Sequence, residues 1–470
     1  MLAVRERLAA DIRVRRLARR VGRGIEVERP DAPPSPVGAK LELTYRCNLK
    51  CPFCYTDSPR RTRERARDLG DDAWRSVVEQ AIELGVIEAV ITGGEPLLRR
   101  DLALELIERL CADGVGVTMN TNGWFVDDPT AERLAAVSGF QANISIDGAT
   151  PELHDGARGV PGSWERAVSG VDRLLQRGVR AQIVHVVTPA NERFVPEFLE
   201  LMWLLGVRSV RLAVAVPTGA AAREGDWRVS RGALRRRVTA AAERHPDLAI
   251  QVQPGTLSAL AAIEDVAPAA LLVRPNGTVW IDSVRPFGFG NVSDGGLGAC
   301  WQRIRERWND PEIVEWANAI GRADHLPESA VVPYLDEVAL EPEEREAPAR
   351  AVDPEAIPAG VPVSPAAGGD LGPARRRVAG LALARRYRLG PCRSVGTTDR
   401  YVRVLRDGRI CRLNRTASLV LDACAGAAPK DAVAAVSARH PGVPLTTLET
   451  ETLASVRQLV ERGILEPAAR

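Results

Sequence analysis

Three cysteines stand four and then three residues apart in Cys47-Asn48-Leu49-Lys50-Cys51-Pro52-Phe53-Cys54-Tyr55. Thiolates grouped this tightly can hold iron or zinc. A [4Fe–4S] cluster takes one cysteine per iron and four in all, so a group of three leaves one iron open to an added ligand. Structural zinc takes four nitrogen or sulfur ligands. No fourth Cys or His follows within about fifty residues, which weakens the zinc alternative. The chain has 8 cysteines in 470 residues, and their uneven spacing is not that of a disulfide framework. A reducing compartment, the cytoplasm, suits thiolate ligands.

The elements that must carry this loop are legible in the hydrophobic periodicity. From Gly38 short β-rich runs alternate with helical periods: strands at 40–45, 87–92, 115–120, 140–146, 179–188 and 207–215, helices at 72–85, 101–113, 130–138, 164–177 and 193–205. Strands separated by amphipathic helices imply parallel βαβ units with right-handed crossovers. Six strands are too few for a closed eight-stranded barrel, so the expected fold is α/β, a partial (βα)6 TIM-like barrel. Ligands gather at the C-terminal ends of such strands. Each distinctive polar cluster sits there: Cys47 to Cys54 after the first strand, Thr92-Gly93-Gly94-Glu95-Pro96 after the second, Asn120-Thr121-Asn122-Gly123 after the third, and Ser145-Ile146-Asp147-Gly148 closing the fourth. Thr188 and Asn191 follow the fifth, and Pro217-Thr218-Gly219 the sixth. Taken singly, each could be a turn or a surface residue. Their joint placement at one sheet edge argues against coincidence.

The cysteine spacing, with aromatic Phe53 before the last cysteine, resembles the CxxxCxxC signature of the radical S-adenosylmethionine (SAM) superfamily, and Gly93-Gly94-Glu95-Pro96 resembles its GGEP motif. His154-Asp155 and Arg158 match a segment of its peptide-modifying members. The resemblance implies one [4Fe–4S] cluster on Cys47, Cys51 and Cys54, with SAM chelated by the open iron. It implies SAM contacts from Phe53, Gly93, Gly94, Glu95, Asn122, Ser145, Asp147 and Arg158, with Glu95 near the amino group, Ser145 and Asp147 near the ribose, and Arg158 on the carboxylate. A reduced cluster then cleaves SAM to a 5′-deoxyadenosyl radical that takes a substrate hydrogen. An electron donor such as flavodoxin or ferredoxin is implied as partner.

Residues 221–330 read as a small α+β appendage, with a hairpin at 273–280 and Gly288-Phe289-Gly290-Asn291-Val292 leading to a helix near Trp301. This order resembles the SPASM or twitch extension of peptide maturases. Auxiliary-cluster cysteines are missing: Ile281 and Asp282 follow the hairpin, and Cys300 alone is near. Cys300 reads as a buried small residue, with a hydrogen-atom donor role for it or Cys392 as the sharper alternative. Residues 331–375, rich in Pro, Ala, Glu and Gly, read as a linker. From 376 to 470 a hairpin at 401–413 turns at Asp407-Gly408 and precedes helical periods at 416–425, 429–439 and 445–462, with Ile464-Leu465 as a wing strand. This winged-helix-like pattern resembles the PqqD-like peptide-binding domain, or RiPP recognition element, which implies a precursor (leader) peptide as partner. A DNA-binding winged helix is the alternative. Few basic residues share a helix face there, Arg439 standing nearly alone, so electrostatics favours peptide. Cys111, Cys411 and Cys424 read as core.

Net charge is +2, from 63 basic and 61 acidic residues, which argues against a dedicated nucleic-acid partner. Residues 1–37, Arg-rich and then Pro-rich, read as a solvated segment and linker. No signal-like or membrane-spanning apolar run occurs. The expectation is a peptide-modifying radical SAM enzyme performing epimerisation, carbon–carbon linkage or decarboxylation in preference to thioether formation. Action on a small molecule or tetrapyrrole, and a non-catalytic peptide-binding scaffold, are the alternatives. If Cys47, Cys51 and Cys54 hold the only cluster, anaerobic reconstitution should load about four irons per chain; about eight would show a second cluster.

Overall fold

The computed structural model describes residues 32–58, 68–215, 219–222, 227, 229–253, 267–283, 287–313, 371–385, 387–389, 415–424, 427–438, 440–461 and 464–468. In chain order the first elements are β1 (Gly38–Glu42), α1 (Asp71–Glu83), β2 (Glu88–Thr92), α2 (Arg100–Ala112), β3 (Gly116–Thr121), α3 (Asp128–Ala135) and β4 (Phe140–Ser145). Next come α4 (Pro151–Arg158), α5 (Ser163–Gln176), β5 (Ala181–Val187), α6 (Val195–Leu205), β6 (Ser209–Val214), α7 (Arg231–Arg244) and β7 (Ala249–Val252). The remainder are β8 (Ala270–Val273), β9 (Thr278–Trp280), β10 (Gly288–Asn291), α8 (Gly296–Arg307), α9 (Leu371–Ala384), β11 (Tyr387–Leu389), α10 (Arg415–Cys424), α11 (Pro429–Ser437), α12 (Leu445–Glu461) and β12 (Leu465–Pro467). The alternation read from the sequence up to residue 215 is present; α4 is an addition to it.

The chain divides into two compact units. The first comprises Met1–Asn120, Ala213–Arg228 and Val252–Val361. Its strands run in the order β10-β9-β8-β1-β2-β3. β1 lies between β2 and β8 and is parallel to both, Leu41 pairing with Ile91 on one side and Val273 on the other. A strand flanked on both sides and packed on both faces must be apolar where it meets helices, and Leu41, Leu43 and Ile91 have no exposed surface. On α1, Trp74, Val77, Val78 and Ala81 recur at helical spacing and form its buried face. The hairpin expected at 273–280 forms, β8 and β9 pairing antiparallel around a turn where Gly277 takes φ +88°. Unexpected from the pattern is that β8 joins the parallel sheet beside β1. Cys300 is buried on α8, its thiol donating to the Asn291 carbonyl at 3.5 Å.

The second unit comprises Thr121–Leu212, Val229–Gln251 and Pro362–Arg470. Its strands follow the order β4-β5-β6-β7, with β4 and β5 parallel from Ala142–Ala181 to Ser145–Val184. α3 and α4 begin on side-chain caps, Asp127 accepting from the Thr130 N–H and Thr150 from that of Leu153. In the C-terminal part, α10, α11 and α12 pack on one another close to the positions read from the sequence, and α9 packs on α6. Helix α9 begins at Leu371, inside the stretch expected to be linker. β12 pairs antiparallel with β11. The expected hairpin at 401–413, Cys392, Cys411, Pro217, Thr218 and the basic N-terminal residues to 31 lie outside the described residues. Among the described residues no helix is long and apolar enough to cross a membrane.

α9 is tied down by arginines. Arg375 pairs with Glu200, Arg377 Nε lies 2.9 Å from Glu165 Oε2, and at the helix end Arg385 Nε lies 2.8 Å from Asp172 Oδ1 while its Nη2 donates to the Leu205 carbonyl at 2.5 Å. The first two are exposed or half-buried and contribute little. Arg385 and Asp172 are both buried, and removing one partner strands the other charge. Asp172→Ala should cost about 3–5 kcal/mol in urea unfolding; a loss below about 1 kcal/mol, the value of an exposed pair, would show that the pair does not hold α9.

Candidate functional site

The cysteine loop begins where β1 ends and is laced to the loop after β2. Leu43 N–H donates to the Thr92 carbonyl at 2.9 Å, Gly94 N–H to Thr44 O at 2.7 Å and Glu95 N–H to Arg46 O at 2.8 Å. This approach needs two glycines. A Cβ on Gly93, whose φ is +136°, would stand 2.7 Å from Thr44 O, and one on Gly94 would stand 2.0 Å from Arg46 O. From the other side Asp68 accepts from Thr44 Oγ1 at 2.5 Å and from Tyr45 N–H at 3.3 Å, and Arg99 Nη1 donates to Leu43 O at 2.8 Å. Behind the last cysteine, Ala220 N–H donates to Cys54 O at 2.9 Å, and Gly219, at φ +60°, leaves no room for a Cβ against Cys54 O and Tyr55 O.

Within this frame the three thiols are half-buried. Leu49 N–H points at Cys47 Sγ from 3.5 Å, and Thr56 Oγ1 lies 3.1 Å from Cys54 Sγ. Donors aimed at sulfur stabilise thiolates and tune a bound metal. Burial, with Cys51 and Glu95 nearby, pushes the Cys47 thiol far up, so the loop by itself favours the protonated thiol and a bound cation would favour the thiolate. Among the described residues no three His, Cys, Asp or Glu side chains converge on a single-ion site. In a [4Fe–4S] cluster each cysteine binds its own iron, so its thiolates do not meet at one point. Glu95 is fully buried and its Oε1 accepts from Leu97 N–H at 3.0 Å, capping the turn that leads to α2. Phe53 is buried, its ring edge-on to Trp227 at 5.9 Å.

Next to the last cysteine lies a polar group that sequence reasoning passes over. Lys40 Nζ donates to Tyr55 Oη at 3.1 Å and to Ser283 Oγ at 2.6 Å, and Arg274 Nε lies 3.2 Å from Glu42 Oε2. Burial alone would lower the Lys40 pKa, but Tyr55 and Glu42 outweigh it and raise it. The available signal was alternation: Lys40 and Glu42 share one face of a strand whose other face carries Leu41.

In the second unit the expected residues divide. Asp147, His154 and Arg158 come together. Asp147 has no exposed surface; its Oδ1 accepts from Val186 N–H at 2.7 Å, its Oδ2 lies 2.6 Å from Arg158 Nη2, and its own N–H donates to His154 Nδ1 at 3.0 Å. Asn191 Nδ2 donates to the carbonyls of Asp147 at 3.0 Å and Val186 at 2.9 Å. The guanidinium that the resemblance assigns to a SAM carboxylate thus already faces a resident carboxylate. Asn122 sits apart from this knot, its Oδ1 accepting from Trp124 N–H at 3.0 Å in a turn, and Ser145 is half-buried at the end of β4. Asp155 caps α5, accepting from Ser163 Oγ at 2.7 Å and Trp164 N–H at 2.8 Å. His185 Nδ1 lies 3.0 Å from Ile146 O.

The sequence model of the Radical SAM superfamily matches residues 41–202, and that of Coenzyme PQQ synthesis protein D (PqqD) matches residues 401–465. The chain is 33% identical over 184 residues to an AdoMet-dependent heme synthase of Oleidesulfovibrio alaskensis, covering 39% of this chain and 47% of that protein. It spans about half the length of the heme synthases it matches. It is 28% identical to a PqqA peptide cyclase of Ruegeria pomeroyi, covering 63% of this chain and 79% of that one, and 31% identical to the mycofactocin maturase MftC of Mycolicibacterium smegmatis, covering 57% and 70%. The crystal structure of Streptococcus suis SuiB bound to precursor peptide SuiA is similar in fold, with a TM-score of 0.50 at 16% identity over 68% of this chain and 80% of that one.

Burial, then Arg158 and His185, hold His154 well below its ordinary pKa; burial lowers His185 as well. The unfolded chain therefore takes up protons below about pH 6.5 that the folded chain refuses. Stability should be full above that pH and fall as pH drops, by up to about 1.4 kcal/mol per pH unit for each histidine. Urea unfolding between pH 7.5 and 5 should show this decline, and His154→Gln should flatten it; equal slopes in both proteins would contradict the burial of a neutral His154.

Proposed function

We propose that this chain, which belongs to the radical SAM superfamily, modifies a ribosomally synthesised precursor peptide recognised by its PqqD-like C-terminal part. The observation that carries the reading is the loop bearing Cys47, Cys51 and Cys54, laced through Gly93, Gly94 and Glu95 to the neighbouring strand end. The thiols would hold one [4Fe–4S] cluster. Its open iron and SAM, when bound, supply one-electron chemistry that ends in removal of a substrate hydrogen atom.

The protein's own residues bind and orient. Gly93 and Gly94 let the loop after β2 close on the cysteine loop where a Cβ would clash. Glu95 would receive the SAM amino group, and Phe53 would wall the cluster. Asn122, Ser145, Asp147 and Arg158 would complete SAM binding. Asp147 would hold the Arg158 fork in place, since a buried guanidinium left alone is costly. Residues 38–220 would form the partial barrel, 221–330 the twitch-like appendage without auxiliary clusters, and 376–470 the winged-helix-like peptide-binding domain. A flavodoxin or ferredoxin would supply electrons in the cytoplasm. Action on a tetrapyrrole is the second reading, favoured by the heme synthase likeness over the 184 matched residues; the match of residues 401–465 to PqqD favours a peptide.

Full-length protein, reconstituted without oxygen and reduced with dithionite, should convert SAM to 5′-deoxyadenosine. Cys51→Ala should drop this to background and lose the iron. Unchanged turnover in Cys51→Ala would sink the cluster assignment. Immobilised full-length protein should retain a short ribosomal peptide identifiable by mass spectrometry; retention of a tetrapyrrole in its place would support the second reading.

A further inference from the structure

Helix α12 presents Leu453, Val456, Arg457 and Val460 along one face at helical spacing. A charged residue in the middle of such a stripe is out of pattern. Arg457 is nonetheless 7% exposed, and its Nη1 and Nη2 have no hydrogen-bond partner. Its guanidinium lies over the Trp203 ring, 4.0 Å from the centroid, and Nη1 stands 3.9 Å from Asp247 Oδ2, beyond hydrogen-bonding distance. Asp247 is shared: its Oδ1 accepts from Trp203 Nε1 at 2.9 Å, and its Oδ2 is also 3.7 Å from Arg208. Leaving a buried cation with unused donors costs free energy that neither neighbour recovers in full.

All these residues belong to the second unit, and Arg457 lines a pocket there of about 410 Å³. That volume is within the usual small-ligand range of about 300–1,000 Å³. Four arginines line it, Arg180, Arg208, Arg385 and Arg457, and no acidic residue does. Arg180 is exposed and Arg208 half-buried, so positive charge runs from solvent to the buried guanidinium. Arg385 is already engaged by Asp172 and the Leu205 carbonyl. Arg457 alone among the buried pair has free donors. Leu204, Leu453 and Val456 supply apolar wall.

We propose that this pocket binds a carboxylate carried on an apolar group, with Arg457 as its counter-ion. The planar guanidinium fork matches a carboxylate in shape, and the apolar wall suits the chain that carries it. Burial, with Arg208 adding to it, pushes the Arg457 pKa down, and an anion seated in the pocket would offset both effects. The site involves none of the residues assigned to cluster or SAM, so it stands or falls separately from the radical chemistry. Its ligand could be an acidic side chain of a peptide or a free medium-chain acid.

The test uses the full-length protein without cluster, read by Trp fluorescence and by thermal shift. Probes are hexanoate against hexanamide, and acetyl-Leu-Glu-Leu-amide against its Gln counterpart. At least one acid should bind about tenfold or more tighter than its neutral isostere. Preference confined to the Glu peptide assigns a peptide ligand, and preference confined to hexanoate a free acid. Equal binding of acid and isostere, or binding of neither acid, overturns the proposal. Arg457→Met should erase the preference while leaving the urea midpoint of the unliganded protein equal or higher. A large loss of stability with the preference intact would make Arg457 a structural residue only and overturn the proposal. Should Arg457→Met fail to fold, Val460→Trp, which fills the pocket from a half-buried wall position with Arg457 in place, should lose acid binding; retained binding overturns it.

Discussion

Everything at the cysteine loop depends on one constraint: the backbone after β1 must come within hydrogen-bonding distance of the backbone after β2. Three main-chain bonds, from Leu43, Gly94 and Glu95, make that approach. Side chains forbid it at two positions, and those positions are Gly93 and Gly94. An irregular loop that must hold metal ligands cannot rely on a strand ladder for its shape. Here the ladder is extended past the strand ends, and Asp68 and Arg99 satisfy the backbone and hydroxyl groups it leaves over. The thiols then inherit a defined position without any one of them needing to be fully buried.

The second unit solves a related problem with charge in place of glycine. Asp147 is wholly buried, and it is kept there by a backbone N–H, the Arg158 guanidinium and a neutral histidine turned by its own amide. Because Nδ1 of His154 accepts that bond, the proton of the neutral ring sits on Nε2. The same economy recurs at α9, where Arg385 is matched by Asp172 and a helix-end carbonyl. Arg457 departs from it further, a buried guanidinium whose Nη1 and Nη2 both lack a hydrogen-bond partner. Consistency across levels is the rule in folded chains, and local exceptions mark sites.

Much of the fold was legible because its elements are strongly periodic. Strand and helix positions up to residue 215 could be read from alternation and from helical stripes such as Trp74, Val77, Val78 and Ala81. Helix α4 escaped because Pro151 to Arg158 is short and Leu153 is its only large apolar side chain; its evidence is the Thr150 cap and the left-handed Gly159 that ends it. Helix α9 escaped because its first residues, Leu371-Gly372-Pro373, read as linker by composition. β8 could be recognised as half of a hairpin but not as the parallel neighbour of β1, since partner choice leaves no mark on local periodicity.

By itself the sequence determined the donor set and its spacing, the alternation of strands and helices up to residue 215 apart from α4, and the glycines at the second strand end. These are local properties, set by residue type and by the two periods of the backbone. Tertiary structure alone decided which groups face each other across long stretches of chain. It put Arg274 on Glu42, Lys40 on Ser283, Arg158 on Asp147 and Arg457 on Trp203. Only these contacts separate a satisfied buried charge from an unsatisfied one, because the cost of burying a charge depends on what stands within a few ångströms of it and not on its neighbours in sequence.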